Sequence, residues 1–153
     1  MRALELKVPP PVVALVFAAF MWLVAHREPA YAIEVPSRIV LAICLAATGI
    51  LSAIAGVVTF RRARTTLNPH KPEKSSSIVT GGAYTFTRNP MYLGLLLVLT
   101  GWAIFLANTL ACLFLPAFII YIDLFQIAPE ERVLAARFGK EFADYKTRTR
   151  RWI

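Results

Sequence analysis

Residues Ile39 to Phe60 run for 22 positions without a charged side chain. As an α-helix this stretch is about 33 Å long, and the hydrocarbon core of a bilayer is about 30 Å thick. Such a segment must lie either inside a large soluble core or in lipid. With 58% of its 153 residues hydrophobic and only 17% charged, the chain has too little polar surface to build the first. The same abundance of large apolar residues excludes disorder. A net charge of +8 would ordinarily raise the question of nucleic acid.

The placement of that charge answers the question. Residues 61–90 carry Arg61, Arg62, Arg64, Lys71, Lys74 and Arg88 against Glu73, and residues 129–153 carry seven Lys and Arg against Glu130, Glu131, Glu141 and Asp144. These two segments hold the whole net charge, and the other positions balance to zero. Basic segments between apolar ones are the mark of cytoplasmic loops, so the pattern predicts a polytopic membrane protein and no nucleic-acid partner.

Four apolar stretches are expected to cross: 12–25, 39–60, 91–107 and 110–128, the last interrupted by Pro116 and holding Asp123 near its polar end. Asn108-Thr109 leaves only a tight turn, which predicts an antiparallel hairpin of the last two. The first stretch also resembles a secretory signal, with Arg2 and Lys7 before it and Ala30-Tyr31-Ala32 after it. The approach through Pro9-Pro10-Pro11 favours a retained helix instead. Both termini and the two basic segments then face the cytoplasm. Ala42, Ala46, Gly49, Ala53 and Gly56 form one small-residue stripe, read as a helix–helix seam. Cys44 and Cys112 have no metal-ligand spacing and are expected to be buried small residues.

The polar information lies at the cytoplasmic face. Asn68-Pro69-His70-Lys71-Pro72 and Ser75-Ser76-Ser77 lead into Ile78-Val79-Thr80-Gly81-Gly82-Ala83-Tyr84, then Arg88-Asn89-Pro90-Met91-Tyr92-Leu93-Gly94. Asn89-Pro90 is a helix start, Asn able to cap and Pro suited to the first turn, and the open amides there favour an anion. After the last span, Pro129 places Glu130 and Glu131 at another helix start. Leu134, Phe138, Phe142 and Tyr145 recur every three or four residues, predicting a cytoplasmic interfacial amphipathic helix. No metal-ligating cluster, Walker loop or nucleophile elbow accompanies them.

This ordered series resembles the integral-membrane methyltransferases that include isoprenylcysteine carboxyl methyltransferase and phosphatidylethanolamine N-methyltransferase. The likeness covers residues 76–152. It rests on Val79-Thr80-x-Gly82-x-Tyr84, Arg88-x-Pro90-x-Tyr92-x-Gly94, an apolar hairpin, Glu130-Glu131, and Phe138-Gly139 with Tyr145 beyond. It implies an all-α domain over 1–153 that binds S-adenosylmethionine and methylates a lipid or other lipophilic small molecule. Carried over, the cofactor contacts fall on Ser76, Ser77, Ile78, Val79, Gly82, Tyr84, Asn89, Pro90, Met91, Tyr92 and Glu130. Arg88, Glu130 and Glu131 are the candidate catalytic residues.

Three positions depart from the prenylcysteine enzymes. Asn89 stands where a His follows the Arg, Ser76 where many members have His, and Gln126 where an Arg meets the substrate. Gln cannot neutralise a carboxylate as Arg does, so the acceptor need not be a prenylcysteine. Gln126 and Asp123 are the candidate substrate residues. Phospholipid amines, small hydrophobic thiols or amines stay open as acceptors. So do a nicotinamide-dependent lipid reductase, which needs more helices than this length supplies, and a non-enzymatic membrane subunit.

Overall fold

The computed structural model describes residues 5–62 and 78–153, and all regular structure there is helical. Helix α1 spans Pro10–Arg27, α2 Arg38–Arg62 and α3 Pro90–Leu106. A last helical run, Thr109–Phe138, comprises α4 (Thr109–Cys112), α5 (Phe114–Ile122), a π-turn (Asp123–Ile127) and α6 (Ala128–Phe138); α7 (Lys140–Arg148) follows. Three of these, Pro10–Arg27, Arg38–Arg62 and Thr109–Phe138, are long and apolar enough to cross a membrane. The 17 residues of α3 make a shorter apolar helix of about 26 Å. The last run has 30 residues, about 45 Å, which exceeds a hydrocarbon core of about 30 Å. Its apolar part ends at Ala128, and Glu130, Glu131 and Arg132 extend beyond it.

Proline sets the ends and breaks. Prolines at the start of α1 and α3 occupy the first turn, where a missing N–H leaves no helical bond unmade. Pro116 has no N–H to offer the Cys112 carbonyl, and the helix breaks at Leu113. Pro129 likewise deprives the Phe125 carbonyl of its helical donor. The run from Asp123 to Ile127 widens to a π-turn, and the amide of Leu6 donates to Phe125 O at 3.0 Å.

The expected small-residue seam joins α2 to α3. A Cβ on Gly49 would lie 2.5 Å from the carbonyl oxygen of Gly94, and one on Gly101 2.7 Å from that of Ala42. Only glycine admits backbones this close. Ser52 Oγ donates to Pro90 O at 2.9 Å across the seam. On the other side of α3, Trp102 Nε1 donates to Ala18 O at 3.0 Å, and Met21, Leu99, Phe118 and Ile122 form a core sealed from solvent. Between α1 and α2, over α3, runs an apolar groove of about 630 Å³ lined by Ala14, Ala18, Ala42, Ala46 and Gly101.

The hairpin of the last two spans turns at Ala107, whose φ of 48° is left-handed. Asn108 Oδ1 accepts from the amides of Leu110 (3.0 Å) and Ala111 (3.3 Å), while its Nδ2 donates to Glu28 O at 3.0 Å. One buried side chain thus caps the returning helix and ties it to the loop after α1.

Two expectations are corrected. Cys44 and Cys112 are exposed, not buried. Cys44 lies two positions from Ala42 and Ala46, and half a helical turn carries it from the seam to the outer apolar face with Ile43 and Leu51. The single amphipathic helix is also not formed. Gly139, at φ 49°, breaks it into α6 and α7. Leu134, Phe138, Phe142 and Tyr145 then pack with Val79 and Tyr84 into a second core instead of facing lipid.

Candidate functional site

The site is assembled at the end of the bundle where α3 begins. Residues 78–89 approach it through a 3-10 turn, Gly82–Thr85. Gly82 has φ +59°, and a Cβ there would meet Thr59 Oγ1 at 2.8 Å, so both conformation and space require glycine. The turn buries Tyr84 edge-on against Phe60 with ring centroids 5.1 Å apart. Tyr145 Oη donates to Tyr84 O at 2.7 Å, fixing α7 to this turn. Burial pushes the Tyr84 hydroxyl well above its ordinary range, with Glu130 and Tyr145 adding to it, and burial raises Tyr145 to about 12. Both are neutral hydroxyls at any physiological pH.

Asn89 begins α3, but its side chain does not cap it. Thr87 Oγ1 accepts from Asn89 N at 3.1 Å, and Asn89 Nδ2 donates to Arg151 O at 2.9 Å. The competing carbonyl from the C-terminal tail takes the amide away from the helix, so the first turn of α3 keeps its N–H groups without a side-chain cap. An uncapped first turn leaves amides that suit an anion.

The two adjacent carboxylates have different surroundings. Glu131 receives Arg88 Nη2 at 2.9 Å and Arg151 Nη2 at 2.6 Å. Burial alone would raise its pKa, but the hydrogen bonds and charges of Arg151 and Arg88 hold it below the usual carboxylate range. Glu130, two residues past the apolar part of its helix, receives Tyr92 Oη at 2.7 Å and pairs with no cation among the described residues. Burial pushes it up to about 7. The Tyr92 hydrogen bond opposes that rise, and the neighbouring Glu131 charge adds to it. Glu130 is therefore a carboxylate poised near neutrality.

Of the positions singled out in the sequence, Ser76 and Ser77 lie outside the described residues, as does the segment from Asn68 to Ser75. Ile78 and Val79 join the second core beside Tyr84. Tyr92 on α3 meets Glu130 on α6, and Arg88 meets Glu131, so the Arg-x-Pro motif and the Glu pair come together. Arg88 also donates through Nη1 to Thr149 O. Gln126 is buried within the π-turn; its Nε2 donates to Val8 O at 2.9 Å, and its Oε1 has no partner among the described residues. Asp123 has other partners than Gln126, accepting from Trp152 Nε1 at 3.2 Å and lying 3.5 Å from Arg151 Nη1.

Thr87, Arg151 and Trp152 were not foreseen as parts of this site. Thr87 Oγ1 donates to Arg151 O at 3.0 Å, and Arg88 N to Arg150 O at 2.9 Å. The sequence signal was present as Arg150-Arg151-Trp152, but a basic tail beside a membrane reads first as an orientation signal.

The arrangement joins open helix-start amides, through Tyr92, to a carboxylate that has no counter-cation among the described residues. It suits a ligand carrying both an anionic and a cationic group. The sequence profile of the phospholipid methyltransferase family matches residues 37–141. An uncharacterised protein of Haemophilus influenzae is 49% identical over 63 residues, which is 41% of this chain and the whole of that protein.

Proposed function

Because the chain belongs to the phospholipid methyltransferase family, whose members are membrane methyltransferases, we propose that it methylates a lipophilic acceptor at the cytoplasmic face of the membrane using S-adenosylmethionine. The observation that carries this reading is the pairing of Glu130, which has no counter-cation among the described residues, with the uncapped start of α3. S-adenosylmethionine is a zwitterion with an additional sulfonium. Its ammonium matches Glu130, its carboxylate matches the amides of Met91 and Tyr92, and Tyr84 supplies an aromatic wall for adenine.

The cofactor, when bound, supplies an electrophilic methyl group. The residues of the chain bind, orient and exclude water. Tyr92 Oη holds Glu130 in place, Arg88 and Arg151 occupy Glu131, and the second core closes the site from the side of α7. No nucleophilic side chain is required of the protein for a direct displacement.

The acceptor end is read from Gln126. Its buried Oε1 accepts hydrogen bonds and has none among the described residues, which suits an acceptor bearing an N–H or O–H donor. A carboxylate acceptor would need a cation, and Arg88 and Arg151 are paired with Glu131 and Asp123. We therefore favour a lipophilic amine over a prenylcysteine carboxylate.

Detergent-purified protein titrated with S-adenosylmethionine, its demethylated product and a nicotinamide cofactor tests the first part. Binding of the first two is expected; silence with both would overturn it. Transfer of labelled methyl groups to membrane extracts then identifies the acceptor. Gln126→Arg should shift transfer from amine to carboxylate acceptors with cofactor affinity unchanged, and a lowered cofactor affinity with the same acceptors would refute the assignment of Gln126.

A further inference from the structure

The C-terminal tail joins the two halves of the site. Along one edge its carbonyls accept from the loop before α3: Arg150 O from Arg88 N at 2.9 Å, and Arg151 O from Thr87 Oγ1 at 3.0 Å and Asn89 Nδ2 at 2.9 Å. Along the other edge its side chains reach the last helix. Arg151 meets Glu131 through Nη2 at 2.6 Å and Nε at 3.3 Å, and Asp123 through Nη1 at 3.5 Å; Trp152 Nε1 donates to Asp123 at 3.2 Å. Arg151 is thus the one tail residue whose backbone holds the start of α3 while its guanidinium holds the start of α6.

Charge counting gives this bridge a chemical consequence. Within this cluster Arg88 and Arg151 match Glu131 and Asp123, and among the described residues Glu130 is left without a cation. We propose that Arg151 is a positioning residue that selects Glu130, rather than its neighbour, as the carboxylate presented to the cofactor's cation. The inference rests on the cofactor reading above. With Arg151 removed, Glu131 keeps only Arg88 and Asp123 keeps only the indole of Trp152. The site then carries additional negative charge beside Glu130, which favours its protonated, uncharged form. The groups that bear on Glu130 are Tyr92 on α3, Tyr84 on the 3-10 turn and Glu131 on its own helix, with Arg88, Arg151 and Asp123 acting through the ion-pair cluster.

The test compares Arg151→Gln, Arg151→Lys and the double variant Arg151→Gln with Glu131→Gln. Two quantities are read: affinity for the demethylated cofactor by calorimetry, and the pH midpoint of Glu130 from infrared difference spectra against Glu130→Gln, which needs no ligand. Arg151→Gln should raise the midpoint by about one pH unit and weaken binding at neutral pH about fivefold, since the ionised fraction of Glu130 falls from about one half to about one tenth when its midpoint moves from about 7 to about 8. The double variant, relieved of the released Glu131 charge, should restore both to within about threefold, because only the electrostatic part is undone. Arg151→Lys, which keeps the charge without the bidentate fork, should keep the midpoint near that of the wild type.

An unchanged midpoint in Arg151→Gln would overturn the inference, as would a double variant that melts normally yet stays weak. Should Arg151→Gln fail to fold, a Lys variant with a midpoint displaced by a full unit overturns it equally. Absence of binding by the wild type would overturn the cofactor reading instead, and the infrared midpoint would still decide the role of Arg151.

Discussion

Glu130→Gln isolates charge from shape. Gln keeps the volume and still accepts from Tyr92 Oη, now 2.7 Å from Glu130, so the bundle should fold as before. What disappears is the charge offered to the cofactor's ammonium. A hydrogen bond to a charged group is worth about 1.5–3 kcal/mol, which is roughly a 10- to 150-fold loss of affinity for S-adenosylmethionine. The wild type adds a second signature. With Glu130 titrating at about 7, only its ionised fraction binds, so affinity should rise about tenfold between about pH 6 and about pH 7.5. The cofactor's own amino group remains mostly protonated over that interval. Glu130→Gln should show no such slope.

The folded state adds an independent check on sign. A carboxyl whose pKa is raised on folding stabilises the fold below its unfolded value and loses that contribution as pH rises through about 7. Without ligand, Glu130→Gln should therefore melt no lower than the wild type, and higher at about pH 8. Calorimetric titrations across pH, with thermal melts of the same samples, decide the matter. A wild-type affinity flat with pH, or a variant binding equally well, would refute the placement of the cation site at Glu130.

The remaining predictions concern the frame that holds the site. Gly94→Ala would bring a Cβ into the Gly49 carbonyl and within 3.0 Å of Ala53, so α2 and α3 must part. A loss of about 1–3 kcal/mol is expected, read as a lower melting temperature, whereas Gly81→Ala, with open space around it, should be nearly neutral. Equal melts for the two would refute the seam. Pro129→Ala returns an N–H to Phe125 O and puts it in competition with Leu6 N. Hydrogen exchange at Leu6 should quicken by several-fold, since one such bond is worth about 1 kcal/mol; unchanged protection would show that the π-turn does not depend on Pro129.

The spans were legible because hydrophobicity and length are local properties of a segment. Each stretch expected to cross lies within or against a helix of the bundle, and the small-residue stripe faces α3 as its spacing implied. Which way an apolar residue faces was less legible. In lipid the outer face of a helix is as apolar as its core, so polarity does not separate them. Cys44 was misplaced for that reason: only its angular offset from Ala42 and Ala46 separates it from the seam. The amphipathic tail failed differently. Periodicity carried Leu134 to Tyr145 as one face, but the left-handed Gly139 folds that face onto Tyr84 and Val79.

At the site, the sequence supplied the groups but not their partition. Glu130 and Glu131 are identical side chains one position apart, and nothing in their order says which is neutralised. The distinction comes from the tail: Arg151, 20 positions later, takes Glu131, while Tyr92, 38 positions earlier, takes Glu130. The turn of one helix through about 100° per residue is what makes the two partners different, since adjacent side chains point to different neighbours. Pro129 contributes to the same result. It sits in the first turn of α6 one residue before the pair, and the π-turn ahead of it buries Gln126 while Asp123 keeps contact with Arg151 and Trp152. Gln126, Glu130 and Glu131 are thereby set along six residues of one helical run, each facing a different partner: Val8, Tyr92 and the Arg88–Arg151 pair.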